Sequence, residues 1–348
     1  MRLVLKAALA AVLLSILAGS AQAAGKPKTL FESDDPISLT LSGPLDGGLS
    51  RIRAAKPVPG VLKVEGAAPE ALPVMLSVRG VTRRLREICS FPPLYVTFVK
   101  KPPATSIFKG QKRLKLVTHC QDSDRYQQYV LLEYASYRLY RALTPESFGV
   151  RLARINYLRE DGQPITTRTG FFIEDIDDVA RRNGQQRLRG VNHILVAQLD
   201  PAAAARFAVF QYMISNLDWS MTSSVPGEDC CHNSRLLTTK GATTGLVPVP
   251  YDFDYGGLVD APYAVPPLNM HRGSVRVRLY RGYCQLNDQA QAAAADISAR
   301  RPALLGMVDQ TPGLDETSRK RAASYLGEFF DQIATPQSIA ALLKTCPG

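Results

Sequence analysis

Residues 246–263 read LVPVPYDFDYGGLVDAPY, and their interpretation decides that of the whole chain. The apolar run LVPVPY reads as a strand that carries Asp252 and Asp254 into the turn at Gly256-Gly257. Residues at i and i+2 of a strand face the same side, so both carboxylates are expected together, beside Phe253 and Tyr255. Asp and Gly between strands are also ordinary turn chemistry, but a plain turn needs no pair of acids on one face. Upstream, FQYMISNLDWS at 210–220 is an amphipathic apolar run that ends in Asn216 and Asp218. Between the two lies PGEDCCHNSRLL at 226–237, in which a strand-like SRLL follows His232-Asn233. Asp, Asn and Asp therefore arrive at the ends of elements, where a sheet-based active site collects its polar groups. Carboxylates and an amide, with no set of His or Cys ligands, suit a hard oxygen-seeking cation such as Mg2+ or Mn2+. That is the metal of phosphoryl transfer.

The N-terminus reads as a processing signal. MRLVLK is basic, AALAAVLLSILAG is apolar, and Ala21-Gln22-Ala23 is a small-x-small cleavage site, so 1–23 is expected to be a signal peptide and 24–36 a loose N-terminus. The apolar run is short for a membrane span, and an exported protein, periplasmic or secreted, is expected. The formal charge of +11 invites an anionic partner such as a nucleotide phosphate, a lipid or a wall polymer. Nucleic acid is not expected, because no motif interleaves aromatic and basic residues. Six cysteines allow fifteen pairings in an exported chain. Cys89 and Cys120 flank one β-rich region and Cys284 and Cys346 bracket the C-terminal helices, and these two pairings are the ones preferred. Cys230 and Cys231 are left as a vicinal pair or a bridge within the insert. A zinc site at Cys230, Cys231 and His232 is disfavoured, since three consecutive side chains rarely converge on one tetrahedral ion.

Strand signals occupy 37–43, 61–66 and 72–80, punctuated by Pro and Gly. Arg79-Gly80 closes the third and reads equally as a turn or as a guanidinium aimed at phosphate. In RLKLVTH at 113–119, Arg113 and Lys115 fall on one face and Leu114 and Leu116 on the other. DSDRYQQYVLLEYASYRLYRAL at 122–143 reads as a long helix with an Asp/Ser N-cap and Glu133 at its middle. A strand lysine followed by a helix glutamate at this spacing matches the Lys–Glu pair of kinases. Segments 148–158 and 168–177 form a hairpin around Glu160-Asp161-Gly162, and EDIDD at 174–178 starts a helix through Arg182. Strands dominate the first part and helices the last. The fold class expected is α+β in two lobes with a cleft between them, a β-rich lobe at 37–190 and a helix-rich lobe at 191–348.

With those residues placed, the chain resembles the CotH kinase-like family, an atypical, two-lobed protein-kinase-like fold. The family pattern is an apolar helix ending N-x-D, then an Asn on the next strand, then P-[WY]-D-[FY]-D. It is met by Asn216, Asp218, Asn233 and PYDFD at 250–254. KGQKRLKLVTHCQDSDRYQQYVLLEYASYRL, GFFIEDID at 170–177 and V-R-G at 78–80 are similar to upstream family segments, in order over roughly 75–265. The resemblance implies ATP with Mg2+ or Mn2+ as cofactors. It gives Asp218 the catalytic aspartate role, and Asn233 and Asp252, with Asp254 as a second-metal candidate, the metal. Lys115, paired with Glu133, and more weakly Arg79, would contact the phosphates, and Glu174 would lie on a hinge-like strand at the nucleotide. The chain departs from the family in the separation of fifteen positions from Asp218 to Asn233, an insert that carries both adjacent cysteines, and in His232, where the family often has Asn. The function implied is an exported kinase-like phosphotransferase acting on a hydroxyl of an unidentified protein or small molecule. The alternative is a catalytically inactive member serving as an envelope or coat scaffold. A carboxylate-based hydrolase using Asp218 and Asp252 without ATP is a third reading.

Overall fold

The structure is a computed structural model that describes residues 25–45, 56–66, 69–225, 227–270 and 273–346. The expected signal peptide at 1–23 lies outside the described residues. Seven strands carry the first half: β1 Ile37–Ser42, β2 Val58–Val64, β3 Glu70–Val78, β4 Leu94–Phe98, β5 Arg113–Val117, β6 Val150–Leu158 and β7 Pro164–Ile173. Their order is β1-β2-β3-β4-β5-β7-β6, and β6 returns to pair in parallel with β1, which closes the barrel. All other neighbours in it are antiparallel.

Alternation along each strand fills the interior. Leu76 stands opposite Val96, which stands opposite Leu114. Leu94, Leu116 and Phe172 make the next tier. These side chains, with Leu39, Leu41, Leu62, Ile155 and Tyr157, form one buried cluster. Each buried aliphatic side chain contributes on the order of 2 kcal/mol of apolar transfer energy.

The helix expected at 122–143 forms as α1, Asp124–Arg141, capped by the Ser123 hydroxyl, which accepts from the Tyr126 N–H. It is buried along most of its length and packs on β6 and β7. The short helix expected after 174 is α2, Ile176–Arg182. A small sheet follows, made of β8 Gln186–Arg187, β9 Ser234–Thr238 and β10 Val247–Pro250 in the order β10-β9-β8. Helix α3, Pro201–Ile214, starts at an Asp200 cap with Pro in its first turn and ends at Ser215 in the left-handed region. The C-terminal layer is α4 Asn287–Ala299, α5 Arg301–Asp309, α6 Glu316–Gln332 and α7 Pro336–Leu343.

The two-lobed kinase-like architecture is overturned. The strands close into a seven-stranded mixed barrel, accompanied by seven helices among the described residues, which does not match a two-lobed kinase fold. The physical reason lies in the packing. The strands close around their own apolar cluster, while Val117, Val150, Leu152 and Phe171 of the barrel join α1, α3 and the C-terminal helices in a second one. Three disulfides form, Cys89–Cys120, Cys230–Cys231 and Cys284–Cys346, which fit an oxidising compartment. No helix among the described residues is long and apolar enough to cross a membrane.

Candidate functional site

The site is built where the end of the barrel meets α1 and the small sheet. Glu133, on α1, is 1% exposed, and it lies with Asp252 and Asp254 in a group whose carboxylate oxygens come within 4.8 Å of one another. Arg83, from the 3-10 turn after β3, reaches all three. Its Nη1 donates to Glu133 Oε2 at 3.0 Å, its Nη2 lies 3.3 Å from Asp252 Oδ1 and its Nε 3.2 Å from Asp254 Oδ2. The strand expected to carry both acids stops at Pro250. Asp252 instead takes φ 64°, a left-handed conformation that Asp tolerates better than most residues. Its backbone N–H donates to Tyr137 Oη on α1 at 2.9 Å, which ties the turn to the helix. The Gly256-Gly257 turn is needed for packing. A Cβ on Gly257 would sit 2.6 Å from Tyr325 Oη.

Burial pushes the Asp254 carboxyl up against the pull of Arg83, with Asp252 and Glu133 adding like charge. Burial also pushes Glu133 up. Three acids thus share one guanidinium, with Glu133 and Asp254 buried and the Asp252 side chain 34% exposed. The group could hold a metal ion, and its oxygen-only donor set fits a hard divalent cation. A cation there would compete with Arg83, which bonds both Glu133 oxygens at 3.0 and 3.5 Å.

A second carboxylate centre is built on Asp218, whose partners are His232 and Asn233. It leaves α3 through Ser215 and Asn216, whose Oδ1 accepts the Asp218 N–H at 3.0 Å. Arg281 stacks over Trp219 and donates to the Leu217 and Trp219 carbonyls, which fixes the loop. The long insert folds back. Asn233 Nδ2 donates to the Asp218 carbonyl at 2.7 Å and to Asp218 Oδ2 at 2.9 Å, and His232 Nε2 bonds Asp218 Oδ1 at 2.7 Å. Asn233 is also left-handed, at φ 48°. The vicinal disulfide anchors the preceding turn, with the Cys231 N–H on the Ser234 carbonyl and both sulfurs buried. The hydrogen bond to Asp218, helped by Asp218, Asp252 and Glu228, raises the His232 pKa against the effect of burial. The influence of Asp252 on His232 places the two carboxylate centres within electrostatic reach of each other.

Lys115 does not pair with Glu133, whose partner is Arg83. Its ammonium stands 4.9 Å from the Tyr251 ring centre and 5.9 Å from that of Phe148, and it makes no ion pair among the described residues. Burial, with like charge from Arg79 and Arg235, pulls its pKa down to about 7. Arg79 lies on the same barrel face, two strands away, with Nε and Nη2 buried and without a partner among the described residues. Glu174 is held elsewhere. It is fully buried, ion-paired with Arg182 at 3.2 Å, and accepts the Gly149 N–H at 2.8 Å. There it joins the end of β7 to the loop before β6, and no described contact links it to the carboxylate group.

Sequence reasoning missed Arg83, Tyr137 and Arg235. Arg83 was visible only as one of three arginines at 83, 84 and 86, and its burial at 6% exposure distinguishes it only after folding. No protein-family model matches the chain, and no curated protein matches it either.

Proposed function

We propose that the protein is an exported phosphotransferase that uses a divalent cation and a nucleoside triphosphate to modify a hydroxyl of a protein or small molecule. Asp252 carries this reading. It belongs to the carboxylate group bound by Arg83, and its charge acts on both Lys115 and His232. Metal, phosphate and acceptor functions thus meet at one residue. Mg2+ or Mn2+ would be held by Asp252 and Asp254 with Glu133, and by Asn233 through an amide oxygen left uncommitted among the described hydrogen bonds. The cation would supply charge neutralisation at the phosphates. Lys115 would meet the donor phosphates, and Asp218 would orient the acceptor hydroxyl. The order of Asp218, Asn233, Asp252 and Asp254, which resembles the CotH kinase-like family, supports the reading. Activity of this kind does not require the two-lobed fold, because function resides in the site. Release by signal-peptide cleavage near Ala23 to the periplasm or outside fits the three disulfides.

The test is a thermal melt of the mature protein with Mg·ATP, Mn·ATP and ATP in EDTA. Ligand at about a hundred times its Kd adds roughly 2.7 kcal/mol and raises the midpoint. The shift should need the metal and vanish in Asp252→Asn. No shift with either metal would remove the reading. One observation favours a second reading, an inactive scaffold: Arg83 already bonds all three carboxylates. That protein would fold stably and transfer no phosphate with any divalent ion.

A further inference from the structure

Two cations without a carboxylate partner among the described residues meet on one aromatic ring, and a third follows on the same barrel face. Arg235, on β9, lies with its guanidinium carbon 4.7 Å from the Tyr251 ring centre, and Lys115 reaches the same ring at 4.9 Å. Arg235 is held in place by two backbone carbonyls, since its Nη1 donates to Cys231 at 2.9 Å and to Ser234 at 2.8 Å. Neither Arg235 nor Lys115 forms an ion pair among the described residues. Arg79 enters from β3. Ser77, Tyr95 and Lys115 stand in register across β3, β4 and β5, and Arg79 follows Ser77 on the same face. Its Nε and Nη2 are buried with no hydrogen-bond partner. A buried donor without a partner costs about 1–3 kcal/mol, more when charged, so it marks a place where an acceptor is missing.

The three groups repel one another. Arg79 and Arg235 both act on Lys115, with Asp252 and Asp175 acting against them. Such crowding is what an oxyanion of two or more charges relieves. The flat, stacked guanidinium of Arg235 suits bidentate contact with phosphoryl oxygens.

We propose that Arg79, Lys115 and Arg235 form an anion site, floored by Tyr251, that binds a pyrophosphate-type group without any divalent cation. The proposal rests on the phosphotransferase reading for its role, as the seat of the donor's phosphates, and not for its existence. It adds Arg235 as a phosphate-binding residue, and it separates anion affinity from metal affinity.

The experiment is calorimetric titration of inorganic pyrophosphate into the full mature chain in EDTA, at constant ionic strength. Wild type should bind. Arg235→Met keeps the aliphatic stem over Tyr251 and should weaken binding at least tenfold. Arg235→Lys should fall between the two, and it serves if the Met variant does not fold. Arg301→Met, which removes a surface partner of Asp331, should leave binding unchanged. Absence of binding in EDTA, or equal binding by the Arg235 variants, overturns the proposal. Mg·ATP binding without pyrophosphate binding in EDTA overturns it while leaving the phosphotransferase reading intact. Pyrophosphate binding without any metal-dependent ATP binding supports it and removes that reading instead.

Discussion

The barrel and the polar junction at its end are both buried, yet they meet burial in opposite ways. In the barrel, backbone groups pair around a closed ring and the interior is Leu, Val, Phe and Tyr. At the junction, three carboxylates face one guanidinium, two residues sit in left-handed backbone, and Arg79 keeps nitrogens without partners. Buried groups with uncompensated charge or hydrogen-bonding capacity are destabilising unless something else completes them. The difference teaches where this molecule keeps its capacity to bind: in the junction, where charged groups crowd together, and not in the barrel, whose interior is almost wholly apolar.

The sharpest way to break that contrast is Arg83→Met. It leaves Glu133, Asp252 and Asp254 without their cation, and breaking a buried pair in this way costs about 3–5 kcal/mol. Urea unfolding should show that loss, and millimolar Mg2+ should recover part of it if the group takes a metal. A loss below about 1 kcal/mol would mean that the acids are solvated and the contrast false.

Acid probes the barrel end. His119 is 1% exposed and stacks on Phe91, and burial pulls its pKa down from 6.5 to about 4. Asp122 partly offsets that burial and Arg168 adds to it. The folded protein prefers neutral His119, so its contribution is whole above pH 6.5 and drains away as pH falls toward 4. The span corresponds to about 3 kcal/mol. His119→Leu should flatten this part of the stability–pH curve, and an unchanged slope would assign it to the carboxylates.

Two tyrosine hydroxyls sharpen the comparison at smaller scale. Tyr137 Oη accepts the Asp252 N–H, so Tyr137→Phe leaves a donor unpaired and should cost about 1–2 kcal/mol by urea unfolding. Tyr157 Oη, in the barrel, is buried with no partner. Tyr157→Phe should be neutral or stabilising by up to about 1 kcal/mol. Equal losses in both variants would erase the distinction between the two regions.

Much of the local structure was legible. Alternation in RLKLVTH marked β5 and its two faces, the Ser123 cap marked α1, and the expected cysteine pairs form. The closure was not legible, because β1 pairs in parallel with β6, joining Ile37 to Ala153 across most of the first half of the chain. Periodicity reports which face of a strand is buried and says nothing about its distant neighbour. That missing pairing is why a two-lobed layout was expected. At the site, Asp252 and Asp254 announced themselves as paired acids, but a left-handed turn, not strand pleating, brings them together. Lys115 and Glu133 had the spacing of a pair, yet Arg83 takes Glu133 because it approaches from the turn after β3. The insert between Asp218 and Asn233 gave no sign that it would return Asn233 to the Asp218 carboxylate.

The most direct test of the account is Mn2+ binding followed by electron paramagnetic resonance, on the mature protein with and without ATP. The account predicts one bound Mn2+ whose affinity rises when ATP is present, and whose signal is lost in Asp252→Asn. Wild-type Mn2+ binding in that variant, or none in the wild type with ATP, would contradict it.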